Sequence, residues 1–234
     1  MAQDGSGFDP SIADAVVAEI TEAGGTAAAC YENLEDAAAG ERIVEFAVAR
    51  FGRLDALVHN AGLVVFASLE ETGPAVWDPM VAIGVSAPFH LARAAVPHMR
   101  KQNYGRIVLT TSGRAMRVEH CVPGLIAYSA AKMAQVGLMV GLAAELHDTD
   151  IHVNAISPVA ATRVLRRRAP ELAPELVAPG VAFLASLRFM DTTHARTPAA
   201  WAADQRDLKA LRKATNALAR HWGLGDYGEK RAAD

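Results

Sequence analysis

Gly52-Arg53-Leu54-Asp55-Ala56-Leu57-Val58-His59-Asn60-Ala61-Gly62 reads as a helix stop, a strand and a turn in immediate succession. Gly52 closes a helical pattern over residues 41–51, where Ile43, Val44, Ala47 and Val48 share one side. Residues 54–59 follow as a nearly continuous apolar run, the mark of a parallel strand buried on both faces. Asn60-Ala61-Gly62 then turns the chain at the strand's carboxyl end.

The same alternation continues outward. Residues 77–99 are largely helical but carry Pro79, Pro88 and Pro97, which predicts an irregular helix. Arg106-Ile107-Val108-Leu109-Thr110-Thr111 is a strand, residues 125–147 a long helix, and Ile151-His152-Val153-Asn154-Ala155-Ile156 a strand. Upstream, Asp9-Pro10 starts a helix that Gly24-Gly25 stops, with Ile12, Val16, Val17 and Ile20 as its apolar stripe. Residues 26–31 read as a short strand. Downstream, helices are expected over 175–187 and 198–221, the latter with Leu208, Leu211, Ala214, Leu218 and Trp222 on one side. Strand and helix alternating at this spacing build an α/β fold, a parallel sheet with helices on both faces.

Composition narrows the functional classes. The 234 residues are 51% apolar and 21% charged, the balance of a globular domain, and the net charge of −3 gives no general electrostatic case for nucleic acid or an anionic membrane. Acids crowd residues 1–50, where ten of them face only Arg42 and Arg50, a pattern that reads as solvated helix faces. Cys30 and Cys121 are too few for a disulfide framework, so a reducing, cytoplasmic setting is expected. The opening Met-Ala-Gln-Asp-Gly-Ser-Gly has neither the basic nor the apolar region of a leader. The most apolar stretch, residues 133–144, is too short to span a bilayer and reads as a buried helix. No histidine spacing suits a catalytic metal, so none is expected.

Three strand ends meet at one rim, because a parallel sheet binds ligands at the carboxyl ends of its strands. They carry Asn60-Ala61-Gly62, Ser112, and Asn154-Ala155-Ile156-Ser157-Pro158. Tyr128 and Lys132 open the helix after the Ser112 loop, and their spacing puts both on one helical face. A free phenol titrates near 10, and a neighbouring ammonium favours the phenolate, which an acid/base tyrosine requires. Ser112 is placed to hydrogen-bond a substrate carbonyl or hydroxyl, with Thr111 as the alternative. Each piece alone has a plain explanation. With four tyrosines in the chain, a Tyr-x-x-x-Lys pair arises by chance roughly once in twelve such sequences. The ordered set, each member on the right element, is what carries the argument.

As a set, these segments resemble the short-chain dehydrogenase/reductase family over roughly residues 10–186. The matching pieces are the 52–62 stretch, Gly105-Arg106-Ile107-Val108 through Ser112, Tyr128-Ser129-Ala130-Ala131-Lys132, and Asn154 to Pro158. From Tyr104 to Lys132 the likeness is to the branch that contains the hydroxyacyl-CoA dehydrogenase part of peroxisomal multifunctional enzymes. The resemblance implies a Rossmann-like, doubly wound parallel sheet and an NAD(P)-dependent oxidoreductase interconverting a hydroxyl and a carbonyl. It implies Tyr128 as general acid/base, Lys132 on the nicotinamide ribose, and Ser112 on a small alcohol, ketone or hydroxyacyl-type substrate. Asn60, Ala61, Gly62 and Pro158 would line the cofactor cleft, with Glu32 near the adenine contact. It also places helix 125–147 in a homodimer interface.

The chain departs from the family's pattern in four ways. The Thr-Gly-x-x-x-Gly-x-Gly turn is absent from the 234 residues, so the expectation is a domain over 1–187 lacking its first βαβ segment, and weak binding of NAD or NADP. Gly84 stands where the family has an asparagine that supports a water-linked proton relay. The interval from Ser112 to Tyr128 is about three residues longer than the family's usual one. Val159 replaces a glycine after Pro158, and residues 188–234 read as a divergent helical extension. Arg163 and Arg166-Arg167-Arg168 are expected to be a solvated face, or else a contact to a phosphate-bearing acyl-CoA. Without the first strand, residues 26–31 are expected to move in beside 54–59. A non-catalytic relic serving as an association or scaffold subunit is the rival reading.

Overall fold

The computed structural model describes residue 7, residues 9–162 and residues 172–185. The chain runs through α1 (Ser11–Glu22), α2 (Ala39–Phe51), β1 (Ala56–His59), α3 (Pro74–Val81), a π-turn (Ala82–Ser86) and α4 (Ala87–Gln102). It continues through β2 (Gly105–Thr110), α5 (Gly113–Met116), α6 (Ile126–Glu145), β3 (Ile151–Ile156) and α7 (Ala178–Ala185). The three strands form one parallel sheet in the order β1-β2-β3, with Ala56 opposite Arg106 and Gly105 opposite Ile151.

The central strand shows why the fold holds. Every residue of β2 is buried, Arg106 and Thr110 included, around the apolar centre Ile107-Val108-Leu109 expected of a strand covered on both faces. Ile107 and Leu109 join Leu57, Ile151 and Val153 in a core closed by Val44 of α2 and by Leu91, Ala92, Ala95 and Met99 of α4. Leu138, Met139 and Leu142 bring α6 onto the same core. Gly52 caps α2 with φ +79, a left-handed geometry that glycine adopts freely, so the chain turns into β1 where the sequence stops the helix.

Two expectations fail at the β1 edge. Residues 26–31 form no strand, so they do not pair with β1. The segment is Thr-Ala-Ala-Ala-Cys-Tyr, whose alanines offer little side chain to pack on a pleated surface, and Cys30 and Tyr31 are exposed. Nor is β1 buried on both faces: Leu57 and His59 are buried but Val58 is 42% exposed. The helices α2, α4 and α6 cover only the Leu57 side. At the start of the chain, α1 forms after Asp9-Pro10, with Asp9 Oδ1 accepting the Ser11 N–H at 3.0 Å. Its apolar stripe stays exposed at Ile12, Val16 and Ile20.

Helix irregularity falls where the prolines direct. Pro88 has no N–H to offer the carbonyl of Gly84 four residues earlier, and the helix widens into the π-turn at that point. The freed Gly84 carbonyl instead accepts Gln135 Nε2 of α6 at 3.1 Å. Gly84 is buried so tightly that a Cβ there would lie 2.7 Å from the Cβ of Ala131.

The continuous helix Pro74–Gln102 and α6 are each long and apolar enough to cross a membrane by length and composition. Both pack on the sheet, but the buried helix expected over 133–144 is only partly so: of α6 only Ala127, Ala131, Lys132 and Gln135 are buried, and Met133 and Val140 are exposed on the side away from the core. Residues 175–176 lie in a short 3-10 turn ahead of α7, in keeping with the expected helix. The expected helix 198–221, the extension 188–234, Arg163 and Arg166 to Arg168 lie outside the described residues.

Candidate active site

The carboxyl ends of β1, β2 and β3 meet the first turns of α6, and the sheet's register puts them level: His59 opposite Leu109, and Thr110 opposite Ile156. Tyr128 is half-buried in the first turn of α6, packed against a small cluster of Leu63, Met80, Ala127 and Ala131. One turn further along, Lys132 turns inward and is buried. Its Nζ donates to the Thr110 carbonyl at 2.7 Å and lies 5.8 Å from the centroid of the Tyr128 ring. Gly62 leaves room for it, since a Cβ on Gly62 would sit 3.3 Å from Nζ.

A short hydrogen-bond chain fixes the strand ends. Thr110 Oγ1 donates to Asn60 Oδ1 at 3.2 Å, which joins the β1 turn to β2. Thr111 Oγ1 donates to the backbone carbonyl of Lys132 at 2.7 Å, which joins β2 to α6. This separates the two hydroxyl candidates: Thr111 is buried and committed to the helix. Ser112 is half-buried, and its Oγ accepts the Arg114 N–H at 3.2 Å as the cap of α5. Its O–H proton is free to turn towards a ligand. A Cβ on the adjoining Gly113 would meet His120 Nδ1 at 3.2 Å and Ser157 Oγ at 3.8 Å, so the β2 and β3 ends share this rim, with Pro158 following Ser157.

Ser112, Tyr128, Lys132, Asn60 and Gly62 thus gather around the ends of β1 and β2, and Ala61 is exposed beside them. Glu32 is engaged in a local ion pair. It accepts Arg42 Nε at 2.9 Å, and Arg42 also pairs with Asp36 at 2.7 Å. The Arg42 guanidinium draws the Glu32 carboxyl below its ordinary range. No described hydrogen bond or ion pair ties Glu32 to the other five.

Burial sets the electrostatics. It lowers the Lys132 amine to about 8. Beneath it, His59 is 2% exposed and its imidazole is pushed down to about 4, first by burial and then by the lysine's charge. His59 and Gln135 are the polar residues that motif reading missed. A signal for Gln135 does exist in the sequence: Pro88 orphans the carbonyl of residue 84, which demands a donor from elsewhere.

The family model for short chain dehydrogenases matches residues 8–171, well over half of the chain. The chain belongs to the short-chain dehydrogenase family. A short-chain type dehydrogenase/reductase of Mycobacterium tuberculosis is 37% identical over 188 residues, covering 78% of this chain and 65% of that protein. Peroxisomal multifunctional enzyme type 2 of Mus musculus is 40% identical over 185 residues, covering 77% of this chain and 24% of the enzyme. This short-chain dehydrogenase domain therefore spans less than two thirds of either relative. Among solved structures, a metagenomic short-chain oxidoreductase in complex with NADP superposes with a TM-score of 0.66 at 31% identity, covering 76% of each chain. A dehydrogenase/reductase from Sinorhizobium meliloti 1021 gives 0.68 at 35% identity, covering 75% of this chain and 74% of that one. The Rossmann-like α/β class follows from these neighbours and from the parallel sheet.

Proposed function

We propose that the chain carries the substrate-side machinery of an NAD(P)-dependent oxidoreductase that interconverts a hydroxyl and a carbonyl. The observation that carries this reading is the buried Lys132, its amine at about 8, set beside the Tyr128 phenol where the strands of a parallel sheet end. Tyr128 takes the hydroxyl proton in oxidation and returns it in reduction. Ser112 donates its free proton to the substrate oxygen and orients it. When bound, the nicotinamide supplies the hydride acceptor or donor. The cofactor's sugar end fits the site, because Gly62 opens a path to the Lys132 amine and Asn60 to Gly62 form an open strand-end turn. The pyrophosphate end finds no glycine-rich turn in the 234 residues, so weak nucleotide binding by this chain belongs to the proposal.

The substrate class we infer is a small alcohol, ketone or hydroxyacyl compound, supported by likeness to the multifunctional enzymes and to a D-beta-hydroxybutyrate dehydrogenase of Cupriavidus necator, 36% identical over 150 residues. A reducing compartment is supported by Cys30 and Cys121, both free and exposed. The second reading, a non-catalytic association subunit, draws on the exposed α1 stripe and the open β1 edge.

The test is a titration of NADH and NADPH against the purified 234-residue protein, followed by fluorescence. Little binding is expected, with turnover appearing once a Thr-Gly-x-x-x-Gly-x-Gly βαβ unit is fused ahead of Met1. Tyr128→Phe should abolish that turnover. Micromolar binding by the chain alone would overturn the weak-binding reading, and a fusion that binds nucleotide yet stays inert would favour the association subunit.

A further inference from the structure

The segment between Ser112 and Tyr128 folds back beside the candidate site. It forms α5 and then a 3-10 turn at Val118–His120. Backbone bonds tie the two together: the Arg117 N–H donates to the Gly113 carbonyl at 3.0 Å, and the His120 N–H to the Arg117 carbonyl at 2.9 Å. Cys121 Sγ and Ser129 Oγ both donate to the Arg114 carbonyl, at 3.1 and 3.5 Å, which fastens the loop to α6. The His120 imidazole is thereby brought to the residue after Ser112. A Cβ on Gly113 would meet His120 Nδ1 and Ser157 Oγ, so the imidazole and that hydroxyl flank one point at the rim. The charge here is one-sided. Residues 60–67, 111–132 and 157–162, which carry the three strand ends, contain a single acid, Glu119, against Arg114, Arg117, His120 and Lys132. Glu119 is held by Arg117 at 2.7 Å and feels the imidazole as a neighbouring charge. Arg114 is half-buried and pairs with no described carboxylate; its Nη1 lies 3.5 Å from the His120 carbonyl.

We propose that His120 and Arg114 form an anion subsite beside Ser112, and that the substrate is a short hydroxy or keto acid whose carboxylate this subsite holds. The proposal deepens the oxidoreductase reading and rests on it for the roles of Ser112 and Tyr128. A cleft lined by one sign of charge concentrates the opposite sign. A carboxylate has two acceptor oxygens, one for an imidazole N–H and one for a guanidinium, and bonds of that kind are stronger than neutral ones. With its hydroxyl on Ser112 and its carboxylate at the loop, a short substrate is held at two points and presents one orientation to the reacting groups. Gly113 is the spacer between them. Its backbone lies outside the left-handed region, so alanine could adopt it, but the added methyl would stand 3.2 Å from His120 Nδ1. His120 and Arg114 set specificity in this arrangement and take no part in proton or hydride transfer.

The experiment is an NMR titration of the purified 234-residue protein with β-hydroxybutyrate, with its neutral amide, and with inorganic phosphate. The His120 ring signals are assigned by their loss in His120→Gln, and dissociation constants are read from the Gly113 amide. β-Hydroxybutyrate should shift both signals with an affinity of about millimolar, which two exposed charge-assisted contacts supply, and the amide should not. His120→Gln and Arg114→Met should each weaken the acid by at least about threefold. Gly113→Ala keeps every charge and displaces the imidazole, so it should weaken the acid as well. Equal shifts from the acid and the amide, or none from either, would overturn the proposal, and that comparison needs no variant to fold. Phosphate matching the hydroxy acid would make this an unselective anion patch and overturn it too. No turnover enters the readout. A chain that never oxidises the acid can still bind it at His120, and an active enzyme can still prove indifferent to the carboxylate.

Discussion

Replacing Lys132 by methionine should make the protein more stable while removing its most distinctive chemical group. Burial draws the Lys132 amine from the ordinary 10.5 down to about 8, and the difference corresponds to about 3 kcal/mol of folding free energy. Between pH 8 and 10.5 the unfolded chain holds this proton more strongly than the folded one, so this group makes stability rise with pH through that window. Below about pH 8 both states are protonated and the full destabilisation is present. Methionine is unbranched, of similar length and uncharged. The substitution loses the 2.7 Å bond to the Thr110 carbonyl, worth about 1 kcal/mol. A net gain of about 2 kcal/mol remains, which raises Tm by roughly 4–8 °C in a protein of this size. Urea denaturation followed by tryptophan fluorescence at several pH values measures it. Lys132→Met should lead at pH 7, with the gap narrowing as the pH approaches 10.5. A variant less stable than the wild type at neutral pH, or a gap indifferent to pH, would refute the reasoning. A lysine that weakens its own fold is held for its chemistry.

Three further outcomes follow from the same geometry. Gly84→Ala places a Cβ 2.7 Å from that of Ala131 and should destabilise by about 1–2 kcal/mol; pairing it with Ala131→Gly should recover at least about 1 kcal/mol relative to additivity, and an additive double-mutant cycle would contradict the contact. The His59 imidazole, held at about 4 against an ordinary 6.5, makes stability fall by about 3 kcal/mol as pH drops through that interval, a loss that acid denaturation of His59→Leu should lack. Met133 and Val140 expose apolar surface on α6 away from the sheet, so the chain should be at least a homodimer by light scattering at micromolar concentration, and Val140→Asp should shift it towards monomer.

The strands β2 and β3 and the helix α6 were legible because their patterns follow from burial in a parallel sheet, and the sheet in turn places Ser112, Tyr128 and Lys132. The same reasoning misjudged residues 26–31 and the second face of β1. An apolar run reports that a segment can be buried, while whether anything covers it depends on partners elsewhere in the chain. The strand end favours Ser112 over Thr111 in the sequence, and the tertiary bond from Thr111 to the Lys132 carbonyl adds the physical reason, since it commits that hydroxyl to the helix. His59 lies inside the 52–62 stretch but only the fold shows it buried, and Gln135 belongs to no motif; its role comes from the Gly84 carbonyl brought to it across the sequence.

The carbonyl released by Pro88 also has an evolutionary consequence. Positions 84, 88, 131 and 135 form one structural bargain, since a missing N–H at 88 calls for the amide at 135, and the close approach it permits calls for small residues at 84 and 131. Among relatives these four should change as a group. A chain with an ordinary N–H donor at 88 is released from needing a donor at 135 and can carry a full side chain at 84. Ancestral intermediates that altered only one of the four would have passed through a less stable protein, so the present combination should be slow to leave once acquired.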